Sequence, residues 1–153
     1  MSAAIAFNRL VPELICRDFT RSVAFYCETL GFTRLYGREV PPFACLEFEG
    51  AQLMLDQMGD EESWLTGEMT PPFGRGINLQ IETGNLDRLL SRLAKARVAL
   101  YREPESAWYR TGERMTGQRQ FLVQDPDDYL LRFCQDLGER EQGDIRPGER
   151  HVS

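Results

Sequence analysis

The sequence predicts an α+β fold in which two βαβββ modules pair into a cupped mixed sheet. Three observations carry that prediction. A strand, a capped helix and a closing turn from Asp18 to Phe32 recur from Asn85 to Val98, with the caps offset by 67 residues (85 − 18). After each helix come short apolar runs separated by turn-forming residues. At 153 residues the chain can bury one sizeable core, whereas a half-domain of about 60 residues is marginal alone, so the modules must share a sheet or pair with a second subunit.

The first module spans residues 8–58. Leu10 to Arg17 reads as a strand that runs into Asp18, a residue type whose side chain accepts bonds from the orphan amides of a helix start. The helix that follows is closed by Gly31, which suits the left-handed residue at a helix end. Phe32 to Tyr36, Ala44 to Phe48 and Gln52 to Leu55 supply three further strands. Residues 59–76 carry Asp60, Glu61, Glu62, Pro71, Pro72 and glycines, a composition that breaks helix and strand and reads as a linker.

The second module spans residues 77–137. Its first strand runs from Ile77 into Asn85, again a cap. Leu86, Leu89, Leu90, Leu93 and Ala94 fall at i, i+3, i+4, i+7 and i+8, the one-sided stripe of a helix packed on a sheet. Ala99 to Tyr101, Gln120 to Gln124 and Tyr129 to Gln135 are the later strands, and Pro104 to Gln118 reads as a charged loop between them. Residues 138–153 lack apolar payload and read as a mobile tail.

Composition narrows the function. Eighteen basic against 24 acidic residues, with a pI near 4.9, argue against a nucleic-acid or anionic-membrane partner. Cysteines 16, 27, 45 and 134 form no C-x-x-C pair and read as small buried residues in a reducing cytosol. No apolar run reaches membrane-spanning length, and Ala3 to Phe7 is too short for a signal segment, so a cytoplasmic location is expected. There is no G-x-S-x-G elbow and no phosphate-cradling G-x-x-x-x-G-K-[ST]. The only histidine, His151, lies in the expected tail, so a catalytic Cys–His pair has no partner in the modules.

Arg17-Asp18 at a strand end, Ser22-Val-Ala-Phe-Tyr26 in a helix, Leu30-Gly-Phe32 closing it and Asp125-Pro-Asp-Asp-Tyr-Leu-Leu-Arg-Phe133 at the last turn and strand resemble the vicinal oxygen chelate superfamily. That superfamily includes glyoxalase I, the extradiol dioxygenases, the fosfomycin-resistance enzymes and the bleomycin-resistance proteins, and the likeness covers Leu10 to about Gln135. The resemblance implies a cupped sheet whose concave face holds a metal and substrate or a bound ligand, and a homodimer. In metal-using relatives the ligands come from the first and last strands of each module. The matching positions here are Val11, Met54, Asn78 and Arg132. Val has no donor atom, a thioether suits soft copper, and a guanidinium repels a divalent ion. No catalytic residue, metal or cofactor is therefore expected. An oxygen-only site on Glu13, Glu47, Glu49 or Glu82 is the alternative, with Glu13 or Glu82 turned inward by a one-residue slip in strand alignment.

What remains is a ligand groove. Trp108 and Tyr109, in the stretch where bleomycin-resistance proteins carry a loop over the groove, either stack on flat rings or pack that loop on its own sheet. Trp64 in the linker and Phe43 beside Pro41-Pro42 are further walls, with Met54. Arg132 either fixes a ligand oxygen or pairs internally with Glu13 or Glu82, and Asn78 offers polar groups nearby. The expectation is a metal-free small-molecule binder resembling the bleomycin-resistance proteins, sequestering a planar or cationic antibiotic-like ligand as a homodimer. A glyoxalase-like or dioxygenase-like enzyme with a divergent carboxylate site is the alternative.

Overall fold

Both helices start where a side chain can cap them. In the computed structural model, which describes residues 3–59 and 64–153, the Arg21 amide donates to the Asp18 side chain at 3.0 Å and the Arg88 amide to Asn85 at 3.0 Å. Helix α1 (Phe19–Ala24) runs into a π-helical stretch, Phe25–Leu30, that ends at Gly31 with φ 94°. Helix α2 (Leu86–Lys95) buries Leu86, Leu89 and Leu93. Among the described residues no helix is long and apolar enough to cross a membrane. The linker's Asp60, Glu61 and Glu62 lie outside the described residues.

The chain divides into two units, the first ending at Arg75 but including Asp125–Tyr129, the second holding Gly76–Gln124 and Leu130–Ser153. Unit 1 contains β1 (Glu13–Cys16), β2 (Thr33–Glu39), β3 (Pro42–Phe48) and β4 (Ala51–Gln57) in the order β1-β4-β3-β2. Strand β1 pairs parallel to β4, which demands a crossover, and α1 belongs to it. Side chains alternate across the sheet. Leu14, Cys16, Ala44, Leu46, Leu53 and Leu55 are buried, and Tyr26, Phe32 and Phe48 join that core through ring contacts of 5.3 and 5.1 Å.

Unit 2 contains β5 (Asn78–Glu82), β6 (Arg102–Thr111), β7 (Arg114–Gln124), β8 (Leu130–Glu141) and β9 (Arg150–Val152) in the order β5-β8-β7-β6-β9. Again the first strand, β5, pairs parallel to the last long one, β8. Phe121 and Phe133 stack at 5.6 Å in its core. The fold is thus α+β with two mixed sheets, as the repeat predicts.

Three expectations require correction. Ala99 to Tyr101 forms no strand, and Pro104 to Gln118 is not a loop but most of the β6–β7 hairpin, turned at Gly112 and Glu113. In β7 the buried Met115 and Gly117 alternate with the half-buried Thr116 and Gln118, whereas in β6 Ala107 and Trp108 are buried side by side, and high polarity hides both strands. Residues 138–153 are not a loose tail: β8 continues to Glu141, and β9 pairs parallel to β6 at Ala107, Trp108 and Tyr109. The tail is held by charge pairs rather than by apolar residues of its own, Arg140 donating to Glu149 within it at 2.6 Å and Arg150 to Glu105 of β6 at 3.1 Å.

Unit 1 closes on the turn Asp125–Tyr129. The Tyr26 hydroxyl donates to Asp125 at 2.7 Å, and the amides of Asp127 and Tyr129 donate to its other oxygen at 2.8 and 3.0 Å. Asp127 accepts from Arg17 Nε at 2.8 Å and from the Ser22 hydroxyl at 3.4 Å. Tyr129 donates to the Ile15 carbonyl at 3.0 Å, and its ring lies so near Gly74, at φ 67°, that a Cβ there would come within 2.6 Å of it. Burial pushes the Asp125 carboxyl up from 3.8 to about 6 against the three hydrogen bonds that oppose it.

Tyr26→Phe is expected to cost about 1.5–3 kcal/mol, the worth of a hydrogen bond to a charged group, measured by urea unfolding at pH 7. An acid whose pKa is higher in the folded than in the unfolded state holds its proton more tightly when folded. Asp125 therefore favours folding at pH below 3.8, and that contribution fades as pH rises through about 6. Unfolding free energy followed from pH 4 to 7 is expected to lose roughly 3 kcal/mol from this group, and Asp125→Asn to flatten that fall.

Candidate functional site

Each sheet has one face covered by its helix and one that is not. On the uncovered face of unit 1, alternation from the paired residues Glu13 and Met54 brings together Glu13, Ile15, Phe43, Cys45, Met54 and Asp56. Glu13 stands on this face because it pairs with Met54. Its pKa is raised, first by burial and then by the neighbouring Asp56 carboxyl. Phe43 is buried beside Tyr36, ring centroids 5.7 Å apart, and under the Arg38 guanidinium at 4.6 Å.

In unit 2, Arg119 reaches Asp87 at the start of α2, and the Leu86 amide donates to Gln135, so the odd-numbered residues of β7 and this part of β8 share the helix side. The even-numbered ones face away: Gln80 and Glu82 on β5, Leu130, Arg132 and Cys134 on β8, Gln120 and Leu122 on β7. Arg132 is half-buried and donates from Nη2 to Gln80 Oε1 at 2.6 Å rather than to Glu82, while its Nε is buried without a partner. Glu82 lies on this face without any slip, in step with Asn78 and Gln80 on β5.

Trp108 and Tyr109 are consecutive in β6 and so face opposite ways. Trp108 is buried on the helix side beneath Arg140, whose guanidinium carbon is 3.6 Å from the ring centroid. Opposite it stands Gly117, where any Cβ would meet the indole at 2.6 Å. Tyr109 lies on the uncovered face, where its hydroxyl accepts from Gln120 Nε2 at 2.7 Å and from Arg150 Nη2 at 3.0 Å. Glu105 joins them, accepting from Arg150 at 3.1 Å and from Gln120 at 3.4 Å. His151, placed by the sequence in a loose tail, is instead partly buried with its Nε2 3.2 Å from Arg140.

Of the seven ligand-contact candidates, Met54 and the buried Phe43 thus share the face of unit 1 turned away from its helix, and Arg132, Asn78 and Tyr109 that of unit 2. Asn78 is exposed at the start of β5, and Trp64 is 87% exposed in an irregular segment. The residues that sequence reasoning missed are Gln120, Glu105, Arg150 and Gln80; only cross-strand register puts them beside Tyr109 and Arg132. A separate recess of about 230 Å³ lies at the start of α1, lined by Arg17, Asp18, Arg21, Pro126 and Asp127, but its Arg17 is spent on Asp127.

Neither face suits a divalent metal. Unit 1 offers the Glu13 and Asp56 carboxyls beside the thioether of Met54; unit 2 offers Glu82 and the amides of Asn78 and Gln80 around the cation Arg132, with Glu105 and Gln120 already bonded to Arg150 and Tyr109. Among the described residues no three His, Cys, Asp or Glu side chains converge to hold an ion.

Residues 6–133 match the sequence profile of the Glyoxalase/Bleomycin resistance protein/Dioxygenase superfamily. The chain is 25% identical over 135 residues to the bleomycin resistance protein of Geobacillus stearothermophilus, an alignment covering 83% of this chain and 96% of that protein. The same figures hold for the bleomycin resistance protein of Staphylococcus aureus. Among solved structures, TioX from Micromonospora sp. ML1 is 21% identical with a TM-score of 0.63, covering 86% of this chain and 100% of that one. The fosfomycin resistance protein FosX from Mesorhizobium loti is 14% identical with a TM-score of 0.53, covering 84% and 91%. At these identities the two structures show a shared fold.

Gly117→Ala is expected to destabilise the protein by about 1–3 kcal/mol, because the ring facing it is fixed by Arg140. In the double variant Gly117→Ala/Trp108→Leu the two costs are expected to fall short of additive, which urea unfolding of all four proteins measures.

Proposed function

Because the chain belongs to the Glyoxalase/Bleomycin resistance protein/Dioxygenase superfamily, we propose that it sequesters a small organic molecule on the uncovered sheet faces, without metal and without turnover. The observation that carries this reading is Arg132. It stands on β8 in register with Gln80, as Met54 stands on β4 in register with Glu13, and its buried Nε has no partner. A fixed cation there opposes a divalent ion and attracts a ligand oxygen. Phe43, with Tyr36 and Met54, gives the unit 1 face an aromatic and thioether surface for a flat ring, and the Glu13–Asp56 pair favours a cationic substituent. The relatives named for bleomycin resistance make that antibiotic the first compound to try.

Sequestration requires affinity alone, and nothing on either face needs to be a nucleophile or base. The second reading, a metal-dependent enzyme, draws on the same acid pair of Glu13 and Asp56. A homodimer belongs to the first reading. Its support is the seven-residue edge strand β2, exposed along nearly its whole length, with Phe7, Leu10 and Val40 exposed in the same unit.

Purified protein is expected to carry no stoichiometric metal by elemental analysis and to melt higher with metal-free bleomycin, by about 2.7 kcal/mol at a hundredfold excess over the dissociation constant. Arg132→Met should weaken that binding by about 1.5–3 kcal/mol while leaving the ligand-free melting point nearly unchanged. Stoichiometric iron, nickel, zinc or manganese would instead establish the enzyme reading.

A further inference from the structure

Strand β5 is an edge of the unit 2 sheet, paired with β8, and it carries Asn78, Gln80 and Glu82 on its uncovered side, all three exposed. Gln80 is in register with Arg132 and Glu82 with Cys134, so Glu82 and Arg132 are diagonal neighbours on one face. Strand separation and two residue steps put them roughly 8 Å apart at the backbone, a gap that two long side chains can close. They do not close it. Arg132 donates from Nη2 to the neutral Gln80 Oε1 at 2.6 Å, and Glu82 makes no hydrogen bond or ion pair among the described residues. An arginine only donates, so this contact fixes Gln80 Oε1 as the acceptor and leaves the two N–H donors of its Nε2 unspent. The Asn78 amide is likewise without a partner among the described residues. The Arg132 stem is fixed by its buried Nε, while Nη1 is neither hydrogen-bonded nor fully enclosed among the described residues.

A cation and a carboxylate thus stand as neighbours on an accessible face without pairing, and amide donors flank the cation. We infer that this edge of unit 2 binds a small zwitterion, whose carboxylate meets Arg132 with the amides of Gln80 and Asn78 and whose ammonium meets Glu82. Neither charge alone suits the face, because a plain anion meets the Glu82 carboxylate and a plain cation meets Arg132. A ligand bearing both gives each group an opposite charge. Gln80 acts as a positioning residue for the guanidinium, since holding Arg132 keeps it from collapsing onto Glu82 and prepares the face before the ligand arrives. The inference rests on the reading of this face as a ligand surface and names the ligand chemistry that the β5 edge accepts.

The test uses the full chain, nitrogen-15 labelled, titrated separately at low ionic strength with 4-aminobutanoate, butanoate and butylamine. The side-chain amide resonances of Asn78 and Gln80 are followed. 4-Aminobutanoate, whose length is comparable to the roughly 6.6 Å step from Gln80 to Glu82, should move both. It should bind roughly tenfold or more tightly than either analogue, since each analogue loses a hydrogen bond to a charged group. Raising salt to about 0.15 M should narrow that gap. In Glu82→Gln, 4-aminobutanoate and butanoate should bind alike. In Gln80→Leu, Arg132 is free to swing onto Glu82, so 4-aminobutanoate should lose most of its affinity although both charged residues remain. Butanoate binding should return in Gln80→Leu/Glu82→Gln, a rescue that a merely structural role of Gln80 does not give. If a variant does not fold, the three-probe comparison on the unaltered chain decides by itself. Equal binding of the three probes, or no movement at Asn78 and Gln80, overturns the inference. Should bleomycin raise the melting point while 4-aminobutanoate shows no preference, the zwitterion site fails and sequestration stands. A preference for 4-aminobutanoate without a response to bleomycin keeps the site and removes bleomycin as its ligand. Failure of both compounds removes both.

Discussion

Burial of two carboxyl groups in one five-residue turn is the constraint on which unit 1 depends. Asp125 and Asp127 are 4% and 2% exposed, and a buried carboxylate is tolerated only where donors replace the water it has lost. Those donors come from separate segments: Arg17 at the end of β1, Ser22 in α1, Tyr26 in the π-helical stretch that continues it, and the turn's own amides. Meeting them fixes how far α1 is rotated and where β1 ends. Phe73, whose amide donates to the Asp127 carbonyl at 3.0 Å, anchors the irregular segment before it in the same way. Arg17 keeps 46% of its side chain in water while its partner Asp127 keeps 3%, so most of the desolvation falls on the acid.

Unit 2 is organised by alternation. Within β6, one residue step separates Trp108, wedged between Gly117 and Arg140, from Tyr109, which enters the polar network of the opposite face. The indole needs a glycine opposite it because no side chain fits there, and Arg140 over its face explains why a long charged residue is buried at 8% exposure. Buried packing and a polar network are thus two sides of one strand, and the aromatic pair that reads as a single patch in sequence divides between them.

How much of this could be read in the sequence follows from how local each cause is. Asp18, Asn85 and Gly31 act within a few residues of themselves, and the stripe Leu86, Leu89 and Leu93 is set by helical geometry, so both helices and the repeat were legible. Glu82 was legible too, since a period of two within β5 places it with Asn78 and Gln80; Glu13 was not, because β1 begins there and Val11 lies before it. The β6–β7 hairpin and β9 were not legible, because their charged residues find partners tens of positions away: Arg150 with Glu105, Arg119 with Asp87. The π-helical turn at Phe25–Leu30 had no sequence signal at all. Of the site, Arg132 and Tyr109 carried enough chemistry to be singled out, whereas Gln120 and Gln80 are unremarkable until register sets them beside those two.

Strand β9 has a consequence for how copies of the chain behave when crowded. Without it β6 would offer a ten-residue border of unpaired amides and carbonyls, long enough to template another strand. By pairing with only Ala107, Trp108 and Tyr109, β9 splits that border into two short remnants and puts Arg150 and His151 on the new outer rim. Open-ended stacking of sheets is thereby blocked on this side of unit 2, and any strand-to-strand growth is left to other edges, of which β2 is the longest at seven residues.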